Sequence, residues 1–233
     1  MLPQLTTFKR VALDFLFPPY CINCGKEGNY ICGHCSRDLP YIYPPVCPIC
    51  GRPLTPENQC PGCPGKQTDI EGIRAPFLFN GIVRKAIHEL KYHNLRALAP
   101  LLAEFLHEYL KINALPCNVL VPVPIHKKRL RERGYNQSSL ITHELSRLCR
   151  LPVSDNSLVR RSYISSQART TSAVARLENV TGAFTCKDKR LAGKQVILID
   201  DVSTSGATMN ACAEALKTGG AATVWGLTLA LEL

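Results

Sequence analysis

Eight of the twelve cysteines fall in four Cys-x2-Cys pairs within the first 63 residues: Cys21/Cys24, Cys32/Cys35, Cys47/Cys50 and Cys60/Cys63. So short a stretch has almost no hydrophobic core of its own, and bound metal would supply much of its folding free energy. A Cys-x2-Cys turn offers two thiolates to one tetrahedral ion, and two such knuckles complete a Cys₄ site. Glycine follows Cys24, Cys32 and Cys50, where a tight knuckle uses it. The spacing therefore predicts two structural zinc ions. Linkers of seven residues (Cys24 to Cys32) and nine (Cys50 to Cys60) let each site close on itself. Sequential pairing is the expectation, although a crossed, RING-like arrangement fits the same spacing.

Disulfides are disfavoured by context. Residues 1–17 carry apolar side chains interrupted by Lys9, Arg10 and Asp14, which matches neither a signal peptide nor a membrane span. Leu5, Phe8, Ala12, Phe15 and Leu16 fall near one helical face and predict a short amphipathic helix. No transmembrane segment is expected, and the cytoplasm, where thiols stay reduced, is the expected compartment. A redox role suits a single Cys-x-x-Cys better than four regular copies. Cys117, Cys149, Cys186 and Cys212 are scattered and read as small apolar residues.

The chain has 233 residues, enough for one α/β core and a smaller satellite, and its formal net charge is +10. Val121 to Arg176 hold eleven Lys/Arg against three Asp/Glu, so +8 of that charge lies in one segment. An anionic partner is implied: phosphate, nucleic acid or an acidic membrane surface. Cys21 to Cys63, by contrast, balance Lys26, Arg37 and Arg52 against Glu27, Asp38 and Glu57, which fits docking better than direct DNA binding.

Proline- and glycine-rich sequence closes the cysteine module near residue 68, which divides the chain into 1–68 and 69–233. "IRAPFLFNG" reads as strand and turn, "IVRKAIHELKYH" and "LRALAPLLAEFLHEYLK" as helices, and "NVLVPVP" as a buried strand. A helix is expected from about Ser138 to Cys149 and a short strand within "LPVSDNSLVRR". Residues 162–190 show no clean period and predict a long loop with one strand at Gly182 to Thr185. "QVILID" is a central strand, Ala207 to Thr218 a helix and "TVWGLTLAL" the last strand. Strands alternating with crossover helices give an α/β fold with a parallel sheet covered on both faces.

"VILIDDVSTSGATM", Val196 to Met209, carries the chemistry. Asp200 and Asp201 end a buried strand, where open α/β sheets bind ligands. Two carboxylates there can accept hydrogen bonds from the 2′ and 3′ hydroxyls of a ribose. The loop Ser203, Thr204, Ser205, Gly206, Ala207 and Thr208 runs straight into a helix, so backbone N–H groups and hydroxyls converge on an anion. The stretch reads as a diol grip and a 5′-phosphate cradle. The acid pockets of phosphoacceptor receiver domains are a poorer fit, because there several strands follow the acids and here one does.

This stretch resembles the phosphoribosyl pyrophosphate (PRPP) signature of type I phosphoribosyltransferases. With the cysteine knuckles, "LKYHN", "VPVPIHKKRLRERGYNQ" and "LENVTGAF", nearly the whole chain resembles the ComF family of competence proteins (ComFC/GntX-like). The resemblance implies a parallel-sheet phosphoribosyltransferase-like domain behind a small double zinc ribbon. It places the PRPP ribose on Asp200 and Asp201 and the 5′-phosphate on Ser203 to Thr208, with Mg²⁺ accompanying PRPP. The loop after Val123 would face pyrophosphate, with Lys127, Arg129 and Arg133 as its cations. Where the family's hood often carries Thr three positions before Gln, this chain has Ile164 before Gln167.

The family also implies a part in natural transformation: a cytoplasmic protein handling incoming single-stranded DNA through the basic segment. Lys127, Lys128, Arg129, Arg131 and Arg133 are the candidates for phosphate contacts and Tyr135 for base stacking. If the run is helical, Lys127, Lys128 and Arg131 group together while Arg129 and Arg133 point elsewhere. Two other functions fit the same residues: a nucleobase phosphoribosyltransferase with an added zinc module, and a PRPP-responsive docking protein for a helicase or other DNA-uptake machinery. Tyr163 and Phe184 are the only aromatics in the hood to stack a base, and no catalytic residue is singled out.

Overall fold

A computed structural model describes residues 18–60, 62, 68–161 and 182–233. The sheet is organised around the apolar run 196–199. Its four side chains alternate between two apolar clusters, Ile197 and Ile199 on one side, Val196 and Leu198 on the other. A strand buried on both faces needs an unbroken apolar run, which these residues supply.

In chain order the elements are β1 (Gly72–Arg74), β2 (Phe77–Leu78), α1 (Gly81–Tyr92), α2 (Ala99–Ile112), β3 (Val119–Pro122), α3 (Lys127–Arg133), α4 (Gln137–Cys149), β4 (Leu158–Arg160), β5 (Phe184–Cys186), β6 (Gln195–Ser203), α5 (Ala207–Thr218) and β7 (Thr223–Leu231). The main sheet is parallel, in the order β1, β7, β6, β3, with β2 continuing the β1 edge along β7. β4 and β5 form a separate antiparallel pair. Within the described residues the expected strands and helices occur, with the strand foreseen at Gly182 to Thr185 lying at Phe184–Cys186.

Helices α1, α2 and α4 cover one face through Ile87, Leu90, Leu102, Leu106, Ile141 and Leu145. Helix α5 covers the other with Met209, Cys212 and Leu216, joined by Leu158 and Phe184 of the small sheet. Pro100 sits in the first turn of α2, where its missing N–H costs nothing. Asn136 caps α4 by accepting from Ser138 N at 3.1 Å, which fixes the start of that helix beside β6.

β6 is longer than its apolar run. It continues through Asp200 to Ser203, pairing with Thr228 to Leu231 of β7, whereas β3 stops opposite Ile199 at Pro122. Beyond Ile199 the β3 side of β6 is therefore open, and the first turn of α4 approaches there.

The cysteine module is joined to this sheet. Cys21, Cys32, Cys35, Ile31 and Leu39 belong to the same apolar cluster as α1 and α2. Leu78 N donates to Pro40 O at 2.8 Å and Ile73 N to Ile49 O at 2.7 Å. The expected N-terminal helix, the fourth thiol of the second site (Cys63) and most of the hood, with Tyr163, Ile164 and Gln167, lie outside the described residues. No helix among the described residues is long and apolar enough to cross a membrane.

Candidate functional site

Asp200 and Asp201 leave β6 where its β3 neighbour has ended. Ser138 Oγ, on the first turn of α4, donates to Asp200 Oδ1 at 2.7 Å, and Asp201 N donates to the same oxygen at 2.9 Å. Burial, followed by the charge of Asp201, pushes the Asp200 carboxyl up to about 7. Asp201 is only 3 % exposed, and its Oδ2 lies 2.5 Å from Lys91 Nζ at the end of α1. Asp201 is thus closed to bulk solvent and tied to Lys91, while still lining the cavity that Asp200 lines. An isolated buried carboxylate is costly, and Lys91 provides the compensating charge.

Both carboxylates line a cavity of about 200 Å³ that also takes in Arg129, Arg133, Arg160 and Thr208. Arg160 is held below the usual arginine range by burial, then by the nearby positive charge of Arg129. Two guanidiniums close enough to repel, in a partly desolvated cleft, suit a polyanion that sits between them.

The hydroxyl-rich stretch divides differently from its sequence. Ser203 is the buried last residue of β6, with its carbonyl accepting from Glu232 N at 3.0 Å. The turn itself is Thr204, Ser205 and Gly206, and Ala207 and Thr208 open α5. Gly206 caps the helix at φ +76, a conformation that calls for glycine, and a Cβ there would press on the tip of Ile73, 3.1 Å from its Cδ1. Ala207 N points at Ser205 Oγ, 3.4 Å away.

The basic run is helical, as its periodicity allowed. Arg129 and Arg133, one turn apart, face the cavity; Lys127, Lys128 and Arg131 are exposed and do not line it. Lys128 lies 4.0 Å from Glu132, one turn further along the helix. His126 begins α3 by accepting from Lys128 N at 3.2 Å. Tyr135 corrects the sequence reading. It is only 7 % exposed, its hydroxyl donates to Leu90 O, and the Arg96 guanidinium lies 4.4 Å over its ring. It is closed to a nucleobase.

The thiols gather in the sequential manner. Cys21, Cys24, Cys32 and Cys35 bring their sulfurs within 4.8 Å of one another, and Cys47, Cys50 and Cys60 do the same. Cys24 and Cys32 sulfurs are 3.6 Å apart and those of Cys50 and Cys60 3.5 Å. A tetrahedron with Zn–S bonds of about 2.3 Å has edges of about 3.8 Å, whereas a disulfide spans about 2.05 Å. The donor set fits structural zinc. Gly25 and Gly51 turn their knuckles at φ +75 and +74. At Gly51 a Cβ would also stand 2.4 Å from Ile73 O, because this knuckle is pressed onto β1. The next residue, Arg52, reaches the phosphate-loop candidate: its Nη2 donates to Thr204 O at 2.5 Å.

Family models match both parts of the chain: the double zinc ribbon domain over residues 12–64 and the phosphoribosyl transferase domain over residues 140–230. Competence protein F of Haemophilus influenzae is 28% identical over 221 residues, covering 90% of this chain and 90% of that one. Competence protein ComFC of Bacillus subtilis is 28% identical over 212 residues, 88% of this chain and 85% of its own. The chain is a homologue of the ComF-type competence proteins. DNA utilization protein YhgH of Escherichia coli O6:H1 is 32% identical over 145 residues, 59% of this chain and 62% of YhgH.

Lys91, Ser138 and Arg160 were not singled out from the sequence. Lys91 lies within "LKYHN", but only the packing of α1 on the sheet brings it to Asp201. Ser138 had one available signal, its place on the first turn of a helix next to a capping asparagine.

Proposed function

We propose that this chain binds a 5-phosphoribosyl compound of the PRPP type and acts in DNA uptake and use, handling incoming single-stranded DNA in the cytoplasm. One observation carries the ligand reading: the Asp200/Asp201 pair, Thr208 at the start of α5, and Arg129, Arg133 and Arg160 share one cavity of about 200 Å³. Carboxylate oxygens accept from the ribose diol, the α5 N-terminus and its turn receive the 5′-phosphate, and the arginines meet the pyrophosphate. Mg²⁺ would travel with the phosphosugar and screen its charge, with Asp200 as an oxygen donor at the cavity wall. Two zinc ions, on Cys21/Cys24/Cys32/Cys35 and Cys47/Cys50/Cys60/Cys63, hold the ribbon. The competence and DNA-utilization relatives support the biological role.

Calorimetry with PRPP and Mg²⁺ tests the ligand reading. Asp200→Ala removes an acceptor without stranding Lys91, and each charge-assisted hydrogen bond removed is worth roughly 1.5–3 kcal/mol. Binding should weaken more than tenfold. Unchanged affinity rules the grip out. Pyrophosphate release in the presence of a nucleobase would mark the protein as an active transferase; its absence with intact binding would mark a PRPP-dependent binding protein.

A further inference from the structure

We infer that Tyr92 is a stacking platform for a nucleobase, in a cleft adjoining the Asp200/Asp201 cavity. This rests on the DNA part of the reading above. A second cavity, of about 420 Å³, opens at the end of α1 and the inner face of α3. It shares Lys91, Tyr92, Arg129 and Arg133 with the Asp200/Asp201 cavity, so the two form adjoining compartments. Glu132 is the one carboxylate on its wall, against three cations.

Tyr92 is 66 % exposed although it lines both compartments. His88 holds it from the preceding turn, ring centroids 4.6 Å apart, and the Arg133 guanidinium lies 5.7 Å from its ring centre. Arg133 is itself tied to Gln137 Oε1. Tyr20, Tyr41 and Tyr43 are also open, but all three sit on the zinc-ribbon side. Among the described residues none of those three has a guanidinium over its ring. An exposed aromatic ring beside a held guanidinium and further cations is what single-stranded nucleic acid requires: a face for the base and cations for the flanking phosphates. Tyr135, the aromatic inside the basic run, is closed, and among the described residues Tyr92 is the exposed ring on this cavity. The base can belong to a strand or arrive as a free nucleobase beside a bound phosphosugar; the ring chemistry is shared.

The test measures full-length protein and its Tyr92→Ala and Tyr92→Phe variants against a labelled single-stranded oligonucleotide, the same oligonucleotide with abasic positions, and free nucleobases with PRPP and Mg²⁺ present. The parent should prefer the base-bearing strand, and Tyr92→Ala should lose roughly tenfold in affinity together with that preference. The slope of affinity against salt should stay the same, because every cation that can meet a phosphate is still in place. Tyr92→Phe should restore binding. Free-base binding that disappears in Tyr92→Ala, with no strand effect, assigns the platform to a free base. A parent that binds the strand while Tyr92→Ala matches it in affinity and base preference, with free-base binding absent or unaffected, overturns the stacking role alone. A parent that binds neither strand nor base overturns this inference and the DNA reading together.

Discussion

At Asp200 the carboxyl sits near 7, raised by burial and then by the Asp201 charge, against about 3.9 for aspartate in an unfolded chain. The folded protein resists ionising it. Its contribution to stability is therefore fully present below about pH 4 and is lost as pH climbs from there through about 7. Asp200→Asn never ionises and escapes that loss. The melting-temperature difference between variant and parent should shift in the variant's favour between about pH 5 and about pH 8; a difference constant across that range would show that Asp200 titrates alike in both states. The acid pair and Gly206 were legible in sequence because each acts where the chain itself places it. Lys91 and Ser138 were not, since they reach Asp201 and Asp200 only through the packing of α1 and α4. Tyr135 misled for a related reason: cations beside it in sequence suggested an open ring, but Arg96, from another segment, covers it.

Among elements, the apolar runs were read well and the boundaries at polar residues less so. β6 overran its expected end at Asp200 because Val202 and Ser203 pair with Ala230 and Leu231, a partner strand whose length the β6 sequence does not encode. The hydroxyl stretch is accordingly a short turn with Ser203 inside the strand. That turn is braced from a direction no local pattern reveals. Arg52, just after the third knuckle's Gly51, bonds Thr204 O, while Ile73 N and the Arg74 side chain bond the carbonyls of Ile49 and Pro48. Arg52→Ala should leave the zinc content unchanged and loosen the turn. One partly exposed charge-assisted bond is worth about 1 kcal/mol, so phosphosugar affinity should fall about fivefold in calorimetry. Equal affinity at equal zinc content would make the Arg52 bond incidental to the turn.

Across the whole molecule, charge and architecture separate two kinds of cation on one helix. The local concentration of +8 between Val121 and Arg176 was plain from the sequence, and so was the ±4 arithmetic that splits the basic run. What required the fold was the position of α3 itself, with Arg129 and Arg133 turned to the cavities and Lys127, Lys128 and Arg131 exposed away from them. The inner pair suits a pyrophosphate and the nearest strand phosphates, whereas the outer three can serve only a longer polyanion running over the surface. Replacing Lys127, Lys128 and Arg131 by Glu should therefore weaken single-stranded DNA binding and flatten its salt dependence by about 0.7 in slope for each phosphate no longer neutralised. PRPP affinity should survive, because none of the three lines the Asp200 cavity and the cations that do are left in place. Titrations at several salt concentrations, with PRPP calorimetry on the same preparation, separate the two effects. Full DNA affinity at every salt concentration would move the strand's path off the outer face of α3. A parallel loss of PRPP binding would show that the outer cations act on the cavity through the field of the whole helix.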